Sequence, residues 1–165
     1  MQVRAATEAD FPRILELNAE LVHFMSPLTP ARLVALHAQS AWHAVADEDG
    51  QVLAFLLALR EGCDYDSPNY RWFAERYPRF LYVDRVVVAV AAQGRGLGRQ
   101  LYDALFAFAR AAAVPYLTCE FDIEPPNDAS RRFHAGYGFR EVGVLAVGAA
   151  RKQVSLHLVD LRARR

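Results

Sequence analysis

Little in this chain provides for cross-links or metal. Its 165 residues include two cysteines, Cys63 and Cys119, too few for a disulfide framework. Neither has the neighbours that a zinc site needs at ligand spacing, so no metal is expected. No apolar run is long enough to cross a bilayer and no secretory leader is recognisable, which makes the cytoplasm the expected home. Net charge is missing as well, since 19 basic and 19 acidic residues balance. That balance argues against a global nucleic-acid footprint, although a local patch for an anionic ligand stays open. Repeats and low-complexity linkers are absent, so residues 1–165 are expected to form one domain. What is plentiful is apolar: 53% of residues are hydrophobic, with ten Phe and seven Tyr, enough to bury a core and to exclude overall disorder.

Taken in order, Gln2 to Ala6 reads as a strand, and Thr7 with Asp10 reads as a capping box. Phe11, Ile14, Leu15, Leu17, Leu21 and Val22 follow at helical spacing, and a second helix is expected over Ala31 to Gln39. Trp42 to Ala46 and Val52 to Leu59 make a hairpin around Asp47–Gly50. His23, His37 and His43 are scattered over separate elements and read as surface or satisfied half-buried histidines. Between Glu61 and Arg79 the pattern breaks into a long, aromatic-rich connection with a helical turn over Pro68 to Tyr77. Such connections are often functional. Asp64, Asp66 and Tyr70 are candidates there for a cationic or polar substrate, with Tyr82 on the next strand; aromatics packing on a sheet are the competing reading.

Phe80 to Val90 is a central strand, apolar on both faces and interrupted by Asp84-Arg85. It runs into Gln93-Gly94-Arg95-Gly96-Leu97-Gly98, where a helical pattern begins with Leu97, Leu101, Leu105, Phe108 and Ala112 on one face. Strand, glycine-rich turn and helix together gather backbone N–H groups and the positive end of a helix dipole at one place, which suits phosphate oxygens. Glycine leaves no Cβ to hold a ligand off the main chain and permits positive φ. Arg95 and Arg99 add charge and forked donors. A Walker A loop is excluded because no Lys-Ser or Lys-Thr follows, and the dinucleotide fingerprint because no G-x-G-x-x-G opens the chain. A tight strand-to-helix turn without a ligand is the competing reading, and two arginines with three glycines at a helix entrance weigh against it.

Val114 to Ile123 is the next strand, and the βαβ order implies parallel pairing. After Pro125-Pro126, Asn127 or Asp128 caps a helix through Phe133, His134 and Tyr137, which Gly138 ends. Phe139 to Val147 and Val154 to Leu161 are closing strands.

The Q-x-x-G-x-G loop resembles the acyl-CoA pyrophosphate motif of the Gcn5-related N-acetyltransferases, the GNAT superfamily. Asn127-x-x-Ser130-x-x-Phe133-His134-x-x-Tyr137-Gly138-Phe139 is similar to that family's N-x-x-A-x-x-x-Y-x-x-x-G-F helix. The resemblance implies an α/β (α+β) GNAT fold, a mixed central sheet of six to seven strands with flanking helices. It implies an acetyl-CoA-dependent N-acetyltransferase, moving acetyl directly to an amine of a small molecule or protein in a ternary complex. By the same resemblance, main-chain groups around Val86, Val87 and Val88 would meet the pantetheine arm, in a gap beside the central strand. Gln93, Gly94, Arg95, Gly96, Leu97, Gly98 and Arg99 would hold the pyrophosphate, and Asn127 and Phe133 would touch the cofactor. Late strands in this fold often pair between chains, so a homodimer is compatible with it. The alternative is a catalytically silent acyl-CoA-binding module of the same fold.

The chemistry asks for a donor to the thioester oxygen, a base for the amine and a proton for the thiolate. A strand N–H near Val86 or Val88 can be the donor. Glu120 and Asp84 are the candidate bases: some relatives place a catalytic Glu at the position of Glu120, and Asp84 shares a strand face with Val86 and Val88. An acid inside an apolar strand needs a partner, and for Asp84 an ion pair with Arg131 or Arg132 is the structural option. His134 stands where the family carries a Tyr that protonates the thiolate; imidazolium could donate that proton, and imidazole could equally act as base.

Overall fold

The computed structural model describes residues 1–22 and 25–162; His23 and the basic tail beyond Arg162 lie outside the described residues. Seven strands form a mixed sheet in the order β1-β2-β3-β4-β5-β7-β6. They are β1 (Gln2–Ala5), β2 (Trp42–Glu48), β3 (Gln51–Arg60), β4 (Leu81–Val88), β5 (Tyr116–Asp122), β6 (Arg140–Val147) and β7 (Lys152–Asp160). Among the described residues, five α-helices accompany them: α1 (Phe11–Glu20), α2 (Pro30–Gln39), α3 (Pro68–Ala74), α4 (Leu97–Ala111) and α5 (Asp128–Gly136). None is long and apolar enough to cross a membrane. The chain divides into two compact units, residues 1–59 with 83–111, and residues 60–82 with 112–165.

In the first unit β2 pairs antiparallel with both β1 and β3. Ahead of α1, Asp10 reaches back to accept from Thr7 N–H at 2.8 Å, as the capping box predicts. The same carboxylate takes the Arg4 fork at 2.8 and 2.9 Å, which holds its pKa down at about 2. Helix α4 lies against β1 and β2. Its buried stripe is Leu97, Leu101, Tyr102, Leu105, Phe106 and Ala109. The stripe expected from sequence drifts by its end: Phe108 is half-buried and Ala112, past the helix, is exposed. At about 100° per residue Phe108 falls at the edge of the stripe that Tyr102, Phe106 and Ala109 widen on its other side, and Ala112 lies beyond the last helical residue.

His37 and His43 lie on separate elements, as expected, yet their side chains meet. Their Nδ1 atoms lie 2.8 Å apart, and Phe11 packs edge-on against His37. His43 is buried and its Nε2 has no hydrogen-bond partner. Burial and the neighbouring imidazole push its pKa down to about 4.

In the second unit β4 starts parallel to β5, with Leu81 opposite Leu117 and Tyr82 opposite Thr118. That is the pairing the βαβ order predicts. β7 then lies antiparallel between β5 and β6. The long connection is an aromatic layer: Tyr70 stacks on Tyr65 at 5.5 Å and meets Tyr82 edge-on, while Phe73 packs on Phe80 and Tyr82. Neither cysteine is in a disulfide; Cys119 is buried, which raises its thiol pKa, and Cys63 is half-buried.

The register of β6 on β7 slips between Glu141 and Gly143. There a Cβ on Gly143 would sit 2.5 Å from Cζ2 of Trp72, so the indole occupies the space a side chain would need. Gly143→Ala is expected to destabilise the protein by about 1–3 kcal/mol through overpacking, read as a lower urea midpoint at unchanged slope.

Candidate active site

The glycine-rich loop grows out of β4 through a short 3-10 turn, Val90–Ala92. Ala89 N–H donates to Leu53 O at 2.8 Å and Ala92 is buried, which fixes where the loop begins. Leu97 anchors its other end in the core. Between these anchors Gln93, Gly94, Arg95 and Gly96 are exposed. Gly94 and Gly96 have φ of 81° and 80°, and nothing lies within 4 Å of a Cβ built on either. Gly98 is already inside α4. Gln100 N–H donates to Gly96 O at 3.1 Å, so the helix ladder starts at that amide. Amides of a first turn precede the ladder and need another acceptor. No acidic residue stands in the first turn of α4, so nothing there repels an anion.

Arg95 already grips an anion. Its Nη2 donates to both oxygens of Glu48, at 2.7 and 2.9 Å, and this lowers the Glu48 pKa. A guanidinium that takes a carboxylate can take a phosphate by the same kind of charge-assisted hydrogen bond. The loop therefore fits a diphosphate: open space over glycine, a first helical turn that carries no acidic residue of its own, and an arginine already engaged by an oxyanion. Arg99 is exposed on the first turn.

Along β4, Val87 is buried while Val86 and Val88 are half-buried. Asp84 also counts as half-buried, yet its side chain is only 3% exposed, so its exposure lies on the main chain. The Asp84 carboxylate accepts from Arg85 Nε at 2.7 Å. Arg85, itself buried, donates further to Asn18 Oδ1 at 3.0 Å and Ser26 Oγ at 3.2 Å. The ion pair anticipated for Asp84 is thus made by its chain neighbour.

The second unit holds the remaining candidates. Asn127 caps α5, its side chain accepting from Ser130 N–H at 3.2 Å. Two turns on, His134 is buried among Phe121, Phe133 and Phe139, with ring centroids 5.3–5.5 Å away. Its Nδ1 lies 2.7 Å from Ser130 O. A carbonyl oxygen offers only lone pairs, so the ring proton sits on Nδ1 and Nε2 carries the basic lone pair. Burial pushes the His134 pKa down to about 4 against the opposing pull of that carbonyl. Near neutral pH the ring is uncharged.

Both buried histidines make stability pH-dependent. Their folded pKa values lie below the unfolded 6.5, so the contribution is whole above pH 6.5 and is lost as pH falls from there through about 4. Each loss is of the order of 3 kcal/mol. A urea series across that range should give falling midpoints, and His43→Phe should flatten the curve.

Glu120 and His134 do not share a face. On β5, Phe121 contacts His134 while Glu120, one residue earlier, alternates to the other side. Asp64 is exposed. Tyr70 is buried, its hydroxyl donating to Arg60 O at 2.6 Å and accepting from Cys63 N–H at 3.0 Å, and burial raises its pKa to about 12. Tyr82 is buried beneath it. Sequence reasoning missed the network beside His134, in which Ser155 donates to Glu141 and meets His157 Nε2 at 2.8 Å, and His157 stacks on Phe121 at 4.3 Å. The signal was present: Ser155 and His157 alternate with Val154, Leu156 and Leu158, so both polar groups fall on one face.

Known proteins agree on the class. The acetyltransferase (GNAT) family model matches residues 8–139, and the chain belongs to that family of N-acetyltransferases. It is 32% identical to the N-alpha-acetyltransferase RimI of Mycobacterium tuberculosis, over 86% of this chain and 80% of that protein. It is 30% identical to the phosphinothricin N-acetyltransferase of Streptomyces coelicolor, over 87% and 84%. Among solved structures, the ribosomal-protein-alanine N-acetyltransferase of Brucella melitensis is similar, at 25% identity with a TM-score of 0.73, covering 98% of this chain and all of that one.

Proposed function

We propose that residues 1–165 act as a single domain that transfers acetyl from acetyl-CoA directly to an amine, both substrates being bound together. The observation that carries this reading is the loop from Gln93 to Arg99, with Gly94 and Gly96 at positive φ over open space. Its amides, Arg95 and Arg99 would hold the diphosphate of coenzyme A. The main chain at Val86, Val87 and Val88 would align the pantetheine arm, and Asn127 and Phe133 would border it. Acetyl-CoA supplies the acyl group as a thioester. The amine must lose a proton to attack, and a group with an available lone pair must take it.

His134 is the residue for that task rather than for protonating the thiolate. What supports this is the uncharged ring, with its proton held on Nδ1 by Ser130 O. Glu120, and Asp84 in its pair with Arg85, remain the alternative bases. Asp64, which is exposed, would meet a cationic acceptor, while Tyr70 and Tyr82 would shape the wall behind it. RimI and phosphinothricin N-acetyltransferase are named for a protein amine and a small molecule. An amine of either kind is the acceptor class proposed here.

The test is to incubate the protein with acetyl-CoA and a panel of small amines and N-terminal peptides, following thiol release. Coenzyme binding without thiol release on any acceptor would favour a silent binding module. His134→Ala is expected to lower kcat about 100-fold while KM for acetyl-CoA stays near wild type. In the wild type the acid limb of kcat/KM should fall well below 6.5, following the depressed imidazole; an unchanged limb in the variant would assign the base elsewhere.

A further inference from the structure

Glu48 closes β2 at the hairpin turn, 47 residues before Arg95, and delivers both carboxylate oxygens to the Arg95 guanidinium. The two side chains are 37% and 46% exposed, so the contact sits at the surface, open to an incoming ligand. A second carboxylate behaves alike nearby: Glu20 Oε2 accepts from Val90 N–H at 3.0 Å, just before the loop. Donors at this end of β4 are thus already met by anionic oxygens of the chain itself. Both oxygens of Glu48 accept from Nη2, and a phosphate on Arg95 would draw on the same guanidinium, so the two anions compete for it.

We propose that Glu48 is an affinity- and specificity-setting residue of the coenzyme site, competing with the diphosphate for Arg95. The inference rests on the coenzyme A reading above. Its physical content is selective. A ligand with a diphosphate can displace Glu48 and take Arg95, recovering what the displacement costs. A ligand without phosphate leaves the pair intact and gains nothing from Arg95. Glu48 therefore weakens coenzyme A binding without touching the binding of the pantetheine portion, and it keeps Arg95 from attracting weaker anions.

The experiment is calorimetric titration of coenzyme A and of pantetheine into wild type, Glu48→Gln, Arg95→Gln and the double variant, at low and at high salt. Glu48→Gln should tighten coenzyme A binding about two- to fivefold at low salt, the range of an exposed ion pair, and less at high salt. Pantetheine binding should not respond. On the Arg95→Gln background the Glu48 substitution should have no effect, because the competition has lost its object. Unchanged or weaker coenzyme A binding by Glu48→Gln, with wild type binding normally, overturns this inference alone: Glu48 would then be idle or would orient Arg95 productively. Failure of wild type to bind coenzyme A overturns the coenzyme reading and this inference with it.

Discussion

Gly96→Val is expected to raise the dissociation constant for coenzyme A by about 10- to 100-fold. Two effects combine. At φ of 80° a β-branched residue pays about 1–3 kcal/mol of backbone strain, which the loop relieves by turning its amides away. If the loop holds its shape instead, the new side chain fills the open space over the glycine and keeps phosphate oxygens from the main chain. Charge-assisted bonds to an oxyanion are worth about 1.5–3 kcal/mol each, so losing even one accounts for the range. Gly148→Val is the control. It carries a similar φ of 72°, also over open space, in the turn between β6 and β7. It should cost stability but leave coenzyme affinity at the wild-type value. Equal affinities for wild type and Gly96→Val would remove the loop from the binding site.

Asp84→Asn should be the most destabilising of the substitutions considered, by about 3–5 kcal/mol, or roughly 10 °C in Tm. The Arg85 side chain is 2% exposed and would keep its charge with its ion-pair carboxylate at 2.7 Å gone. Asn18 Oδ1 and Ser26 can accept hydrogen bonds from the guanidinium but cannot neutralise it. Replacing both members, as Asp84→Leu with Arg85→Met, should recover much of the loss, since removing a buried pair together avoids the stranded charge. Denaturant midpoints measure this. Activity separates the roles: a double variant that folds and turns over at the wild-type rate makes Asp84 purely structural, whereas one that folds and is inactive makes it chemical.

The parts of the site that are local in sequence were the legible ones. Gly94 and Gly96 announce positive φ, Leu97 starts a helical stripe, and Asn127 precedes the helix it caps by one position. Each signal lies within a turn of the feature it specifies. The contacts that were illegible depend on chain distance or on irregular register. Arg85 finds Asn18 across 67 residues, and Arg95 finds Glu48 across 47. No periodicity encodes either meeting. His37 and His43 are close in sequence, but on a helix and a strand whose mutual docking no pattern reports. Gly143 reads as an ordinary strand interruption until Trp72 is seen in the space beside it. The His134 environment is intermediate: the substitution of His for Tyr is visible in the motif, while its uncharged state comes from the aromatic shell and from burial.

The contrast between the two cysteines, neither in a disulfide, bears on how turnover can be followed. A disulfide reagent such as a dithiobis-benzoate detects liberated coenzyme as thiolate, and it also reacts with accessible protein thiolates. Cys119, buried and with its thiol held in the protonated form, should stay invisible to the reagent in native protein, leaving half-buried Cys63 as the source of any background. That background should saturate at roughly one equivalent per chain. A second equivalent appearing during a run would report unfolding of the polypeptide, giving each kinetic trace its own integrity check.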